Sequence, residues 1–377
     1  MLLTLHSTFP TVFMLTTPQL IALNSLPGIT SAAVRRLVET GEDFQTIANA
    51  PPEDLAAEGL RSAAIAGMAN MELLLRQAES QVQRAAQFGG GIIHFWSDDY
   101  PARLRQIYAP PIILYLHGTL LPEDDRSIAI VGTRAATMYG RLSAEKYAEE
   151  FCASGVTVVS GLARGIDQYA HAAALRTSGR TIAVIASGLD EISPSLSAQM
   201  ARKIAERGVV ISEYPFGVKA IPAYFPQRNR IISGMTAATV VVESDQKGGA
   251  MITASFALDQ SREVFALPGP ISSPKSRGTN GLIRTDRARL TQSPVDVLDA
   301  LGYHIPTAAA NNFSSEPPAD LTLFERAIFD SLDGEPRHVD TLCESTGLTS
   351  SEALVALLAL EFKGLARQMA GKMFLRR

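Results

Sequence analysis

From position 127 onward, short runs of aliphatic and β-branched residues recur, at residues 127–132, 157–161, 181–187, 209–213, 238–243 and 263–268. Amphipathic stretches separate them, at 139–153, 166–177, Ser195–Arg207 and 250–260. Near-continuous apolar runs predict strands buried on both faces, and the intervening stretches predict helices that cover those faces. The order predicts an α/β domain, an extended Rossmann-like, doubly wound and mostly parallel sheet. Ligands of such sheets bind outside the carboxyl ends of the strands.

Flanking this region the pattern is helical. Residues 17–88 predict helices only, opened by Thr17 as N-cap with Pro18 at the first helical position. Leu26-Pro27-Gly28-Ile29-Thr30 then joins a first helix to a second over 31–40, the outline of a SAM-like or helix-hairpin-helix unit. In DNA-binding versions the hairpin amides meet phosphate, but a plain turn between packed helices is the simpler reading of these residues. Residues 303–319 form a polar linker rich in Ala and Pro. Beyond it, helices are predicted at 321–331, 339–345 and 351–360, the last with a capping box from Thr349 to Glu352. A basic end with Lys363, Arg367, Lys372, Arg376 and Arg377 suggests a hairpin. That outline is winged-helix-like, and a helical packing module fits it as well. The expected division is 1–16 as a loose arm or mis-assigned start (Met14 being the other candidate), 17–88, 89–302, the linker 303–319, and 320–377.

Composition changes the picture in one respect. The chain of 377 residues is 46% hydrophobic and 19% charged, with a formal net charge of -4 and a pI near 5.9. A global basic footprint is absent, so any polyanion must be met by local clusters. Cys152 and Cys343 are far apart, which suits a reducing compartment and excludes a disulfide framework or zinc site. The first 15 residues are apolar but lack a basic leader region, are broken by Pro10 and are too short for a membrane span. A cytoplasmic protein is expected.

The candidate chemistry lies in loops after the predicted strands. Gly132-Thr133-Arg134 follows the first, and Ser160-Gly161 with Arg164-Gly165 follows the second. Glycine permits close approach of amides to phosphate, a helix N-terminus adds positive potential, and arginine makes paired hydrogen bonds to one phosphate. Phe225, Arg228, Asn229 and Arg230 combine a base-stacking ring with cations, although Phe225 also reads as a core residue before a helix cap. Lys247-Gly248-Gly249 is a further amide-rich turn. Lys219, Arg228 and Arg230 lie in a stretch without acids. Arg262, Lys275, Arg277, Arg284, Arg287 and Arg289 outnumber Glu263 and Asp286 in another, which also fits a solvated face. Asp167 and His171, one helical turn apart, are a conceivable acid–base pair or, more simply, a capping Asp and a packed His. Walker, GxGxxG and HExxH motifs are missing. No catalytic residue, metal ligand or cofactor is expected.

These stretches resemble the bacterial DNA-processing protein A family (DprA/Smf) from about residue 17 onward. The likeness is carried by Tyr100-Pro101 with Leu104, by Ile128 through Arg134, and by Thr137 with Tyr139-Gly140. Ser160 through Asp167 with Ala170-His171, Ser212-Glu213, Phe225 through Arg230, Gly249 through Ala254 and Pro268-Gly269 continue it. The resemblance implies sequence-independent binding of single-stranded DNA by a homodimer. It further implies protection of incoming strands during natural transformation, displacement of single-strand-binding protein and loading of RecA. Arg134, the Arg164 loop, Phe225, Arg228 and Arg230 would form the strand pocket. Two departures stand out: Gly248 replaces a serine common in the family, and Arg284-Thr285-Asp286-Arg287-Ala288 replaces Gly-Ala after Leu282-Ile283. The second falls where relatives build dimer and RecA surfaces.

Two other readings compete. A phosphoribohydrolase-like enzyme would need a glutamate in the 247–254 stretch, which has none. A regulator reading duplex DNA would use the 351–360 helix, which lacks Arg, Lys, Asn and Gln for base edges.

Overall fold

The computed structural model describes residues 15–303, 321–333, 335–369 and 371–376. The expected arm, as far as residue 14, and the linker beyond Tyr303 lie outside them. The chain divides into two compact units at residues 305 and 306.

In the first unit the apolar runs form β3 to β8: Ser127–Val131, Thr157–Ser160, Thr181–Ile185, Val209–Ser212, Ala238–Val241 and Glu263–Ala266. Each ends one or two residues before its apolar run does, because the last residues turn into the loops. Two strands precede them, β1 (Gly90–His94) and β2 (Ile113–Gly118), and a short β9 (Arg289–Leu290) follows. The sheet order is β1-β2-β6-β5-β4-β3-β7-β8-β9. The sheet is parallel from β6 through β9, while β1 and β2 pair antiparallel at one edge. The expected Rossmann-like architecture is what the chain adopts.

Side-chain alternation builds a core on each face. Ile128 and Ile130 of β3 face one core with Val158 and Val240. There they meet the helices Met138–Ala153 and Ile166–Arg176. Ala129, Val131, Val159 and Val241 face the other, covered by the helices Tyr224–Met235 and Gly249–Asp259. Because β3 to β7 are buried along their whole lengths, β-branched residues win on both faces.

The helical stretch shares this second core: Leu20, Ile21, Val34 and Leu37 pack into it with Tyr115, Leu116 and Phe216. The long helix Met71–Gln87 is tied to the sheet unit by Arg84 to Asp190 at 2.7 Å and by Gln81, which accepts from the Phe216 amide at 2.8 Å. Its first helix starts one residue earlier than expected. Thr16 is the N-cap, Thr17 opens the Thr17–Asn24 helix, and Pro18 sits in the first turn, where its missing N–H costs no bond. Gly28 has φ +69° in the turn before the Ser31–Glu39 helix, which Thr30 caps by accepting from Ala33 N at 3.2 Å.

The second unit has its own core around Ile328, Leu342, Leu357 and Leu360. Helices Leu323–Ser331, Val339–Thr346 and Ser350–Phe362 pack with an antiparallel sheet of β10 (Arg337–His338), β11 (Ala366–Met369) and β12 (Met373–Arg376), β12 in the middle. This is a winged-helix arrangement. The capping box from Thr349 to Glu352 forms as expected.

Candidate nucleic-acid interface

Strand order reverses between β3 and β7, the neighbours from which the chain winds outward in opposite directions. Loops leaving such a pair diverge and leave a crevice at the carboxyl edge. Here the crevice is a cleft of about 340 Å³ lined by Gly132, Thr133, Arg134, Phe225, Gly248 and Gly249 among others. The Gly249–Asp259 helix aims its N-terminus at it. Amides of the first helical turn have no acceptor within their own helix, so Gly249 and Ala250 present donors and the positive dipole end there.

At the rim, the Arg134 guanidinium lies over the Phe225 ring, 5.1 Å from its centroid. Arg134 is exposed and Phe225 half-buried. Both also line an adjoining groove of about 220 Å³ that contains Gly161 and the exposed Arg164. The Arg134–Phe225 pair is therefore a ridge between two depressions. Lys247 is exposed in the turn before Gly248.

Other expected contacts prove to be internal. Arg228 is 4% exposed and donates from Nη1 to the Gly161 carbonyl at 2.6 Å, to the Val184 carbonyl, and from Nε to Asn229 Oδ1 at 3.1 Å. It borders the cleft but ties β5 and the second loop to the Tyr224–Met235 helix. Burial lowers its pKa to about 10, while Asp167 pulls it back up. Asn229 is engaged by Arg228 and is buried as well. Arg230 points away from this cleft: it pairs with Glu213 at 2.6 Å and lines a different one. The expectation that Phe225, Arg228 and Arg230 share one pocket fails at Arg230 alone: Phe225 and Arg228 both line the switch-point cleft. They lie in the first turns of a helix, not in a loop, and helical rotation sends position 230 to the other side.

The glycines divide in the same way. A Cβ at Gly161 would lie 2.6 Å from the Arg228 guanidinium, one at Gly165 (φ +92°) 2.3 Å from the Thr133 carbonyl, and one at Gly132 2.5 Å from Ile166. Those three make room for protein groups. Only Gly249 among the expected site glycines opens onto free space, with nothing within 4 Å. Two of the second loop's amides are also taken. Asp167 Oδ2 accepts from Gly161 N at 3.1 Å and Ala163 N at 3.3 Å, and Ser160 Oγ donates to the Ile130 carbonyl at 2.6 Å. Thr133 N donates to the Glu243 carbonyl at 2.8 Å.

Asp167 and His171 are structural. Burial pushes the Asp167 carboxyl up, against the pull of Arg228 and of the Ala163 and Gly161 amides. His171 is fully buried, and its Nδ1 meets Thr181 Oγ1 at 2.7 Å. The Thr181 hydroxyl proton goes to the Val158 carbonyl, so His171 Nδ1 is the donor and its buried Nε2 has no partner. Protonation would put an N–H without an acceptor at Nε2, and burial lowers the pKa to about 3.

Glu243 was missed by sequence reading. It accepts from Thr137 N at 2.9 Å and from the Thr137 hydroxyl, latching the first loop to the end of β7. A Cβ at Gly140 would sit 2.2 Å from its Oε2, which explains that glycine. The available signal was an acid directly ending an apolar strand. Asp245 also lines the cleft and pairs with Arg277 at 2.9 Å.

A family model for DNA recombination-mediator protein A matches residues 91–302, more than half of the chain. The chain belongs to this family. A model of the DprA winged helix domain matches residues 314–372 as well. Protein Smf of Escherichia coli strain K12 is 39% identical over 272 residues, spanning 71% of this chain and 72% of that protein. DNA processing protein DprA of Bacillus subtilis strain 168 is 42% identical over 206 residues, spanning 54% and 69%. The crystal structure of DNA processing protein A from Streptococcus pneumoniae superposes with a TM-score of 0.64 at 31% identity, over 76% of this chain and 98% of that one. A solved structure of Helicobacter pylori DNA processing protein A, described for its single-stranded DNA binding mode, gives 0.52 at 28% identity over 58% and 99%. Membership places the chain among DNA-processing recombination mediators. No described helix is long and apolar enough to cross a membrane.

Proposed function

We propose that this chain binds single-stranded DNA at the switch-point cleft, independently of sequence and without altering its bonds. The observation that carries the reading is the Arg134–Phe225 pair beside the Gly249 helix N-terminus. It offers a guanidinium and open amides to phosphate within reach of a ring face for a base. Such contacts recognise features common to all nucleotides. The carboxylates bordering the cleft are engaged: Asp167 by two amides and Asp245 by Arg277. That supports holding over hydrolysis.

The family resemblance extends the proposal. The protein protects incoming strands in natural transformation, displaces single-strand-binding protein and loads RecA, acting as a homodimer in the cytoplasm. Residues 17–88, 89–302 and 320–377 serve as its functional segments, with Arg134, Arg164, Phe225, Lys247 and Gly249 the strand contacts. Duplex reading is disfavoured by the Ser350–Phe362 helix, whose exposed Leu354, Val355 and Leu358 offer no hydrogen bonds to base edges.

One salt titration tests the core of this. Single strands of different sequence should bind alike, more tightly than duplex, with affinity falling steeply as salt rises. Preference for duplex, or release of free base from nucleoside monophosphates, would overturn it. RecA loading is read separately, as filament formation on strands already coated with single-strand-binding protein.

A further inference from the structure

The Tyr224–Met235 helix borders two clefts. Phe225, Arg228, Asn229 and Ile232, at helical spacing, line the switch-point cleft. Gln227 and Arg230 instead line a second cleft of about 670 Å³, whose other wall is the start of the Ser31–Glu39 helix with Arg35. Neither the family match nor the strand-site residues account for this second space.

Its cations are under-satisfied. Arg230 gives Nη2 to Glu213 at 2.6 Å, but its buried Nη1 has no partner. The buried Nε atoms of Arg35 and of neighbouring Arg105 have none either. Burial first, and then Glu213, hold the Tyr100 phenol above the ordinary tyrosine range, while Arg230, Arg105 and Arg35 draw it down. In the lining of the cleft itself, two guanidiniums, Arg35 and Arg230, face one carboxylate, Glu213. Buried donors without acceptors are rare in folded proteins, and an uncompensated cation cluster attracts an anion.

The same cleft carries aromatic surface. Tyr108 is 98% exposed at its edge, and Tyr214 stacks on Tyr224 with centroids 4.2 Å apart. The Thr30 side chain accepts from the Ala33 amide and its carbonyl from Val34, so the Ser31 and Ala32 amides remain as donors beside the arginines.

We propose that this cleft is a second nucleotide station, in which Arg35 and Arg230 hold a phosphate and Tyr108 stacks a base. Its source is either the continuation of a strand already held at the switch-point cleft or a free nucleotide. The strand source rests on the strand-binding reading, and the shared helix between the two clefts favours it.

The test uses the full-length protein with Tyr108→Ala and Arg35→Gln, thymidine oligonucleotides of graded length, and dTMP alone. Tyr108 is solvated, so its truncation leaves the fold unchanged, and melting curves verify this for both variants. Short oligonucleotides should bind all three proteins alike, while longer ones bind both variants about five- to tenfold more weakly, the low end of a base–aromatic stack. Binding of dTMP that both variants lose, with every strand length unaffected, also supports the station and assigns it to free nucleotide. Equal affinity of all three proteins at every length, with no dTMP binding, overturns it. Failure of the strand-binding reading looks different, because the wild-type protein would then bind no oligonucleotide of any length.

Discussion

Arg134 and Arg228 read as equivalent in the sequence, two arginines of one expected DNA site, and the structure separates them. Arg134 is exposed and its stacking partner is the Phe225 ring. Truncating it to alanine removes about 0.5–1 kcal/mol of exposed cation–π contact from the fold. For a bound strand it removes a charged hydrogen bond of about 1.5–3 kcal/mol, or roughly ten- to a hundredfold in Kd. It also lowers the slope of log affinity against log salt by about 0.7, the value of one phosphate contact on a single strand. Arg228→Ala acts on the fold. It leaves the Gly161 and Val184 carbonyls unpaired and strips Asp167 of its buried cation, a loss of about 3–5 kcal/mol. A unit of this size should then melt on the order of 10 °C lower. Fluorescence anisotropy with a labelled thymidine oligonucleotide across a salt series, beside thermal melts, reads both effects. The reasoning is refuted if Arg134→Ala keeps wild-type affinity and slope, or if Arg228→Ala melts with the wild type.

Other outcomes follow from the same geometry. Gly249→Val should melt within about 1 °C of wild type yet bind strands at least several-fold more weakly, because its side chain enters only open space. Gly161→Ala should lose stability, since its Cβ meets Arg228 at 2.6 Å; unchanged melting would refute this. Glu243→Ala frees Thr137 from the end of β7 and should cost about 1–3 kcal/mol in denaturant titration. A wild-type midpoint would show that the latch does not matter. For His171, the folded-state pKa of about 3 lies below the unfolded value of 6.5, so its contribution is complete above pH 6.5 and falls as the pH drops toward 3. At pH 5 the loss is about 2 kcal/mol. His94 and His117 shift in the same direction, so the comparison is with His171→Gln, whose melting temperature should fall less between pH 7 and pH 5.

The central sheet was legible because strands buried on both faces leave an unbroken apolar signature, as in Ile128 through Val131. The edge strand β1 and its neighbour β2 were not. Gly90-Gly91 depresses strand propensity in β1; β2 carries an apolar run of its own, Ile112 through Leu116, and what no local pattern records is its antiparallel pairing with β6. At the site, residue types were readable and their orientation was not. Helical geometry in the Tyr224–Met235 segment, set by packing on the sheet, decides that Phe225 meets Arg134 while Arg230 meets Glu213. Gly161 and Gly249 look alike as letters, and only the neighbour that fills or leaves the space distinguishes them.

Photocrosslinking tests the strand site most directly. A thymidine oligonucleotide carrying iodouracil, irradiated on the full-length protein and mapped by peptide mass, should join predominantly to Phe225, the ring beneath the Arg134 guanidinium. Crosslinks confined to the Ser350–Phe362 segment or to the Met138–Ala153 helix, with Phe225 unmodified, would contradict the assignment of that rim to DNA.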